Sequence, residues 1–227
     1  LHLEQTFPEE VTTECYENLT RDLAEKAIAD AIQKGCNIIF TTTPEFVQAS
    51  VQAAIAHPEV KILNCSLNTS HRYIRTYYAR MYEAKFLMGA IAGAMAENGQ
   101  LAYIADYPIF GTIANINAFA LGAKMVNPRA QIYLEWSTLK DVDLGIAMDN
   151  VIKKGVTVVS GRDMVIPEDA SRYFGLYHIE KEGPRNLAMP LWHWGKFYEQ
   201  LIRTIMDGTW KYDDNKDETK AINYWWG

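Results

Sequence analysis

Apolar runs of four to six residues alternate along the chain with segments whose apolar positions recur every three or four residues. That alternation predicts parallel strands joined by crossover helices. A first helix reads over residues 20–35, where Leu23, Ala27, Ile28, Ala31 and Ile32 share one face, Thr20 stands at the N-cap and Gly35 offers a left-handed stop. The strand "CNIIFT" follows. A second unit places Phe46, Val47, Val51, Ala54 and Ile55 along a helix over 45–56, ended by Pro58, before the strand "VKILNC". The polar connector "SLNTSHR" leads to a long predicted helix over 75–97, closed by Asn98 and Gly99. Gly89 and Gly93 lie four apart on that helix, a spacing that lets a helix approach a sheet closely. Strands "LAYIAD", "AQIYLEW" and "VTVVSG" alternate with helices "TIANINAFALGAKMV" and "VDLGIAMDNVIKKG". The tail offers "YFGLYHI", "NLAMPLW", the helix "WGKFYEQLIRTIMDG" and the aromatic strand "AINYWW".

At 227 residues the chain is one large α/β domain or two small lobes, and the connector over 66–72 favours two lobes. Hydrophobic residues at 48% and charged residues at 22% exclude disordered, collagenous and coiled-coil classes. With 22 basic against 28 acidic residues and no basic cluster, the chain lacks the footprint that phosphate-backbone binding needs, so nucleic acid is not an expected partner. Cys15, Cys36 and Cys65 fit no metal spacing and read as structural thiols. The start carries no visible signal peptide, and "FLMGAIAGAMA" is too short to be a membrane span.

In open α/β sheets ligands bind outside the carboxyl ends of the strands. The residues there are Thr41, Thr42, Thr43 and Phe46 after the first strand, then Asp106, Tyr107 and Pro108 after "LAYIA". Trp136 follows "QIYLE", Arg162 and Asp163 follow "VTVVSG", Tyr177 and His178 end "FGLYHI", and Trp192, His193 and Trp194 follow "AMPL". Aromatics beside a few polar groups suit a planar, weakly polar ligand. Each position has a plainer reading: the tryptophans as core, the histidines as satisfied structural groups, the threonines as a helix cap. Enzymatic signatures are missing from the sequence. There is no G-x-x-x-x-G-K, no G-x-G-x-x-G, no G-x-S-x-G, and no metal spacing among His2, His57, His71, His178 and His193. No catalytic residue, metal or cofactor is expected.

Three segments, "YARMYEAKFLMGAIAGAMAENGQLAYIADYPI", "NAFALGAKMVNPRAQIYLEW" and "LWHWGKFYEQLIRTIMDGTW", resemble the basic membrane protein (PnrA-like) family of purine- and nucleoside-binding receptors of ABC transporters. The most specific part is N-A-F-x-L-G-A followed by V-N-P, and the match runs over most of 35–226. The resemblance implies a type I periplasmic-binding-protein fold, two Rossmann-like lobes with a hinge, starting after the family's first strand and helix. It places lobe 1 at 1–70 plus 195–227 and lobe 2 at 71–194. It also implies ligand contacts from Thr42, Thr43 and Phe46, from Asp106 to Pro108, and from Asp163. Tyr107, Trp136 and Trp192 would add aromatic faces. Two departures matter. Asn64, Cys65 and Ser66 stand where nucleoside binders carry an aspartate, and Tyr177, His178 and Ile179 stand at a second such position. Those carboxylates grip ribose in the family, so a free purine base is favoured over a nucleoside. The expected partners are that small molecule and an ABC permease. The expected location is a membrane-anchored lipoprotein at the cell surface or in the periplasm. The alternative is a ligand-sensing domain of a larger regulatory protein, cytoplasmic if its parent lacks a signal peptide.

Overall fold

A computed structural model describes residues 2–65, 73–106, 108, 110–137, 144–161, 175–209 and 224–226. The chain divides into two compact units, Leu1–Ala79 with His193–Trp226, and Arg80–Trp192.

The first unit opens with α1 (His2–Thr6), followed after an extended stretch by a single 3-10 turn, Arg21–Leu23, and α2 (Ala24–Gln33). Thr20 makes no side-chain cap there, whereas Gly35 takes the expected positive φ of 90°. Strand β1 (Ile38–Thr41) leads through a 3-10 turn, Pro44–Phe46, into α3 (Val47–Ala56), then β2 (Lys61–Cys65) and β3 (Arg75–Ala79). Helix α7 (Trp194–Met206) and β9 (Tyr224–Trp226) complete the unit. The sheet runs β1-β2-β3-β9 with every pairing parallel. Alternate residues of its strands serve opposite faces. Ile62 and Ile74 join the α2 and α3 side chains, while Leu63 and Tyr77 join Phe197 and Leu201 of α7.

Residues 75–79, expected as helix, form β3 instead. Thr76, Tyr77 and Tyr78 are three consecutive strand-favouring residues. Arg80, at φ −82° and ψ 62°, breaks the chain before the helix α4 (Met81–Met95).

In the second unit α4 is followed by β4 (Gln100–Ala105), α5 (Phe110–Val126), β5 (Gln131–Trp136), α6 (Leu144–Lys153) and β6 (Val158–Ser160). Strands β7 (Leu176–Glu180) and β8 (Gly183–Ala188) end it. The sheet order is β5-β4-β6-β7-β8, parallel across the first three strands and antiparallel at β6-β7 and β7-β8. Leu101, Tyr103 and Ala105 of β4 face α4 and α5, and Ala102 and Ile104 face α6.

Gly89 and Gly93 do permit close approach, but to a helix rather than to a sheet. A Cβ on Gly89 would collide with the Phe119 backbone, and one on Gly93 would sit 2.6 Å from the Ala123 carbonyl oxygen. Gly122 meets the Phe86 backbone in the same way. Glycines on both helices thus bring α4 and α5 into backbone contact.

Candidate functional site

In the first unit the carboxyl end of β1 is built from hydroxyls and one amide. Thr41 is buried, and its Oγ1 lies 3.0 Å from Ser50 Oγ and 3.3 Å from the Leu63 carbonyl. Ser50 Oγ donates to the Phe46 carbonyl at 2.8 Å, which ties the first turn of α3 to the strand end. Asn64, the penultimate residue of β2, donates from Nδ2 to Thr41 Oγ1 at 2.7 Å and to the Thr43 carbonyl at 2.9 Å. Thr43 is extended, at φ −138° and ψ 148°, and its hydroxyl accepts from the Glu45 amide at 3.4 Å. Pro44 follows at the first helical position, where a missing N–H costs nothing.

An aromatic cluster lies on the face of the sheet that packs against α7. Tyr77 and Tyr198 hydroxyls are 3.0 Å apart, and the Tyr77 ring stacks on Phe197 at 4.9 Å and meets Trp194 edge-on at 5.4 Å. Burial drives the Tyr77 phenol far above its ordinary value, raises Tyr198 to about 12 and raises the Cys65 thiol to about 12. All three groups stay protonated across the physiological range and act as packing and hydrogen-bonding groups, not as nucleophiles.

In the second unit β4 is the central parallel strand. Helices α5 and α6, which lead to the strands on either side of it, lie on opposite faces of the sheet. Its carboxyl end is therefore the topological switch point. Asp106 is the first residue beyond it, and Asp106 Oδ1 accepts from Ser137 Oγ at 2.9 Å. The Ser137 amide donates to the Ala105 carbonyl at 2.8 Å, extending the β4–β5 ladder by one bond. Trp136 pairs in register with Ala105, is half-buried, and packs against the α4–α5 core. Lys85 of α4 is fully buried, with Nζ 3.2 Å from Ser160 Oγ and 4.9 Å from the centre of the Tyr103 ring. Tyr103 and Ser160 are themselves register partners, so Lys85 fastens the ends of β4 and β6 from below.

Of the residues expected in the site, Thr42 is exposed, Thr43 is half-buried, and Phe46 turns inward at 8% exposure to join the α2–α3 core. Asp106 and Trp136 come together at neighbouring strand ends. Trp192 is half-buried at the edge of the second unit, away in sequence from both groups. Tyr107 and Asp163, with Arg162, lie outside the described residues. Tyr177 and His178 belong to antiparallel β7, opposite Val159 and Val158, so their carboxyl end points away from that of β4–β6. Tyr177 is buried, with its hydroxyl 2.8 Å from Met148 Sδ, and His178 Nδ1 lies 3.5 Å from Glu180 Oε1. Sequence reasoning did not single out Ser50, Tyr77 or Ser137. Ser137 had one signal, its place directly after a strand end. Among the described residues no group of three or more His, Cys, Asp or Glu could hold a metal ion, and no helix is long and apolar enough to cross a membrane.

These two sheets define a type I periplasmic-binding-protein-like fold. An ABC transporter solute-binding protein from Conexibacter woesei superposes with a TM-score of 0.62 at 13% identity, covering 93% of this chain and 75% of its own. Residues 2–167 match the family described as "Bmp: ABC transporter substrate-binding protein PnrA-like", and the chain belongs to that family. Its members are binding proteins and not enzymes. A purine-binding protein of Brucella abortus is 27% identical over 99% of this chain and 65% of its own length. The putative ABC transporter glucose-binding protein TsgA13 of Haloferax volcanii is 25% identical over 88% of this chain and 54% of its own. The chain thus spans between half and two thirds of the length of these relatives.

Proposed function

We propose that this chain is the ligand-binding portion of an ABC-type import receptor and that its ligand is a purine base or a nucleoside-like molecule. The observation that carries the reading is the Asp106–Ser137 pair beside Trp136, at the switch point of the second unit. Ser137 orients the carboxylate, a group whose oxygens suit the N–H donors of a base edge, while the indole supplies a flat apolar neighbour. The hydroxyl-rich loop over 41–46 would add donors and acceptors from the first unit. Family membership and the purine-binding relative from Brucella abortus support the same class. Capture would proceed by closure of the two units, with the chain crossings at Ala79–Arg80 and Trp192–His193 as the hinge. Tyr107, Asp163 and Trp192 remain part of the proposed ligand contacts. A lipid-anchored protein outside the cytoplasmic membrane, delivering to a permease, fits this role.

A second reading, a sugar ligand, is favoured by the glucose-binding relative. A carboxylate next to an indole also suits a sugar, whose hydroxyls donate to the acid and whose C–H face lies on the ring. A thermal-shift screen of the purified protein against adenine, guanine, hypoxanthine, their nucleosides, ribose and glucose separates the two. A ligand at a hundred times its dissociation constant stabilises by about 2.7 kcal/mol. A purine that raises the melting temperature supports the proposal, and a response confined to sugars replaces it with the second reading.

A further inference from the structure

Asn64 occupies an unusual position: a polar side chain at 0% exposure inside a parallel strand whose neighbours Ile62 and Leu63 are equally buried. Its amide nitrogen spends both hydrogens on the β1 end, on Thr41 Oγ1 at 2.7 Å and on the Thr43 carbonyl at 2.9 Å. The bond to the carbonyl fixes which way the amide is turned, because only the NH2 end can donate there. The other end, Oδ1, is buried and accepts no hydrogen bond among the described residues. A buried acceptor left without a partner works against stability, and an apolar side chain of the same shape would avoid it. Residues that break a local rule in this way concentrate where function requires them.

What Asn64 gains is control of Thr43. The same Thr43 carbonyl that accepts from Asn64 also accepts from the Phe46 amide at 3.2 Å, and the Thr43 hydroxyl accepts from the Glu45 amide at 3.4 Å. Both backbone N–H groups of the 3-10 turn Pro44–Phe46 therefore hang on one residue, and Asn64 is the side chain that holds that residue from the neighbouring strand. We propose that Asn64 is a positioning residue, clamping Thr41 and Thr43 so that the 42–46 loop is pre-organised for ligand. The inference rests on the reading above only for its binding arm. The clamp itself is a property of the free protein.

The test compares wild type with Asn64→Leu, which keeps the approximate shape and removes the donors, and Asn64→Asp, which keeps the shape and removes the amide hydrogens. Amide hydrogen exchange of the free protein is followed at Glu45 and Phe46, with Ile62 and Leu63 as the β2 reference, and binding of adenine is titrated. Loss of the clamp should speed exchange at Glu45 and Phe46 by about tenfold in both variants, the equivalent of one net hydrogen bond, with the β2 amides as protected as in wild type. Adenine should bind about tenfold more weakly, while the melting temperature of Asn64→Leu is equal to or above that of wild type. Unchanged exchange at Glu45 and Phe46 overturns the proposal. So does exchange that rises equally across β2, which would make Asn64 an ordinary structural group, and so does undiminished adenine affinity. If wild type itself binds no purine, the functional reading fails and the exchange arm alone decides the clamp.

Discussion

Ser137 donates to Asp106 at 2.9 Å while its own backbone amide closes the β4–β5 ladder on Ala105. The carboxylate at the switch point is thus oriented by a residue whose backbone the sheet already fixes. Asp106→Ala should weaken purine binding by about tenfold or more, the range for a hydrogen bond to a charged group. Ser137→Ala keeps the carboxylate and removes the hydroxyl that orients it, and should weaken binding by about fivefold. Calorimetric titration checks both, with thermal melts showing that the variants stay folded. Equal affinity in Asp106→Ala removes this carboxylate from the site.

The α4–α5 contact makes a sharper structural prediction. Gly89→Ala places a methyl group against the Phe119 backbone, which no side-chain rotation can relieve. The variant should lose about 1–3 kcal/mol or more of unfolding free energy in urea. Gly183→Ala, with nothing within 4 Å of the added Cβ, avoids steric overlap and pays only for its positive φ of 117°. Comparing the two separates collision from backbone strain.

Glu199 on α7 gathers Lys196 at 2.9 Å, Arg203 at 3.0 Å and His2 at 3.0 Å. Lys196 foremost, then Arg203 and His2, hold its carboxyl at about 2, well below the ordinary 4.5. The folded-state value is the lower one, so the stabilisation is complete above about pH 4.5 and is lost as the pH falls towards 2. Glu199→Gln should flatten the pH dependence of the urea midpoint in that window and leave its slope near neutrality unchanged.

Much of this was legible from pattern. The buried strand "LAYIA" is a continuous apolar run, and Gly35 marked its helix end by a conformation few other residues accept. Asp106 was legible as the residue that follows the run "LAYIA", whereas the sheet order that makes this strand end a switch point was not. Other features depend on partners distant in sequence. The run over 75–97 reads as a single helix because nothing local shows that Tyr77 will find Leu63, Phe197 and Tyr198 around it. Gly89 and Gly93 announce a close approach but not to what. Alternation says nothing of strand direction, so His178 was grouped with strand ends that antiparallel pairing places on the opposite edge. Phe46 looked like a ring facing ligand until the fold turned it into the core. Asn64 registered only as a missing carboxylate, since the atoms that give it meaning belong to the Thr41–Thr43 segment of another strand.

The most direct test of the account is calorimetric titration of the purified protein with adenine, guanine, hypoxanthine, adenosine, ribose and glucose in parallel. Saturable one-to-one binding of a purine, reduced by about tenfold or more in Asp106→Ala, is the predicted result. Binding of glucose or ribose with no response to any purine, or purine binding indifferent to Asp106, would contradict it.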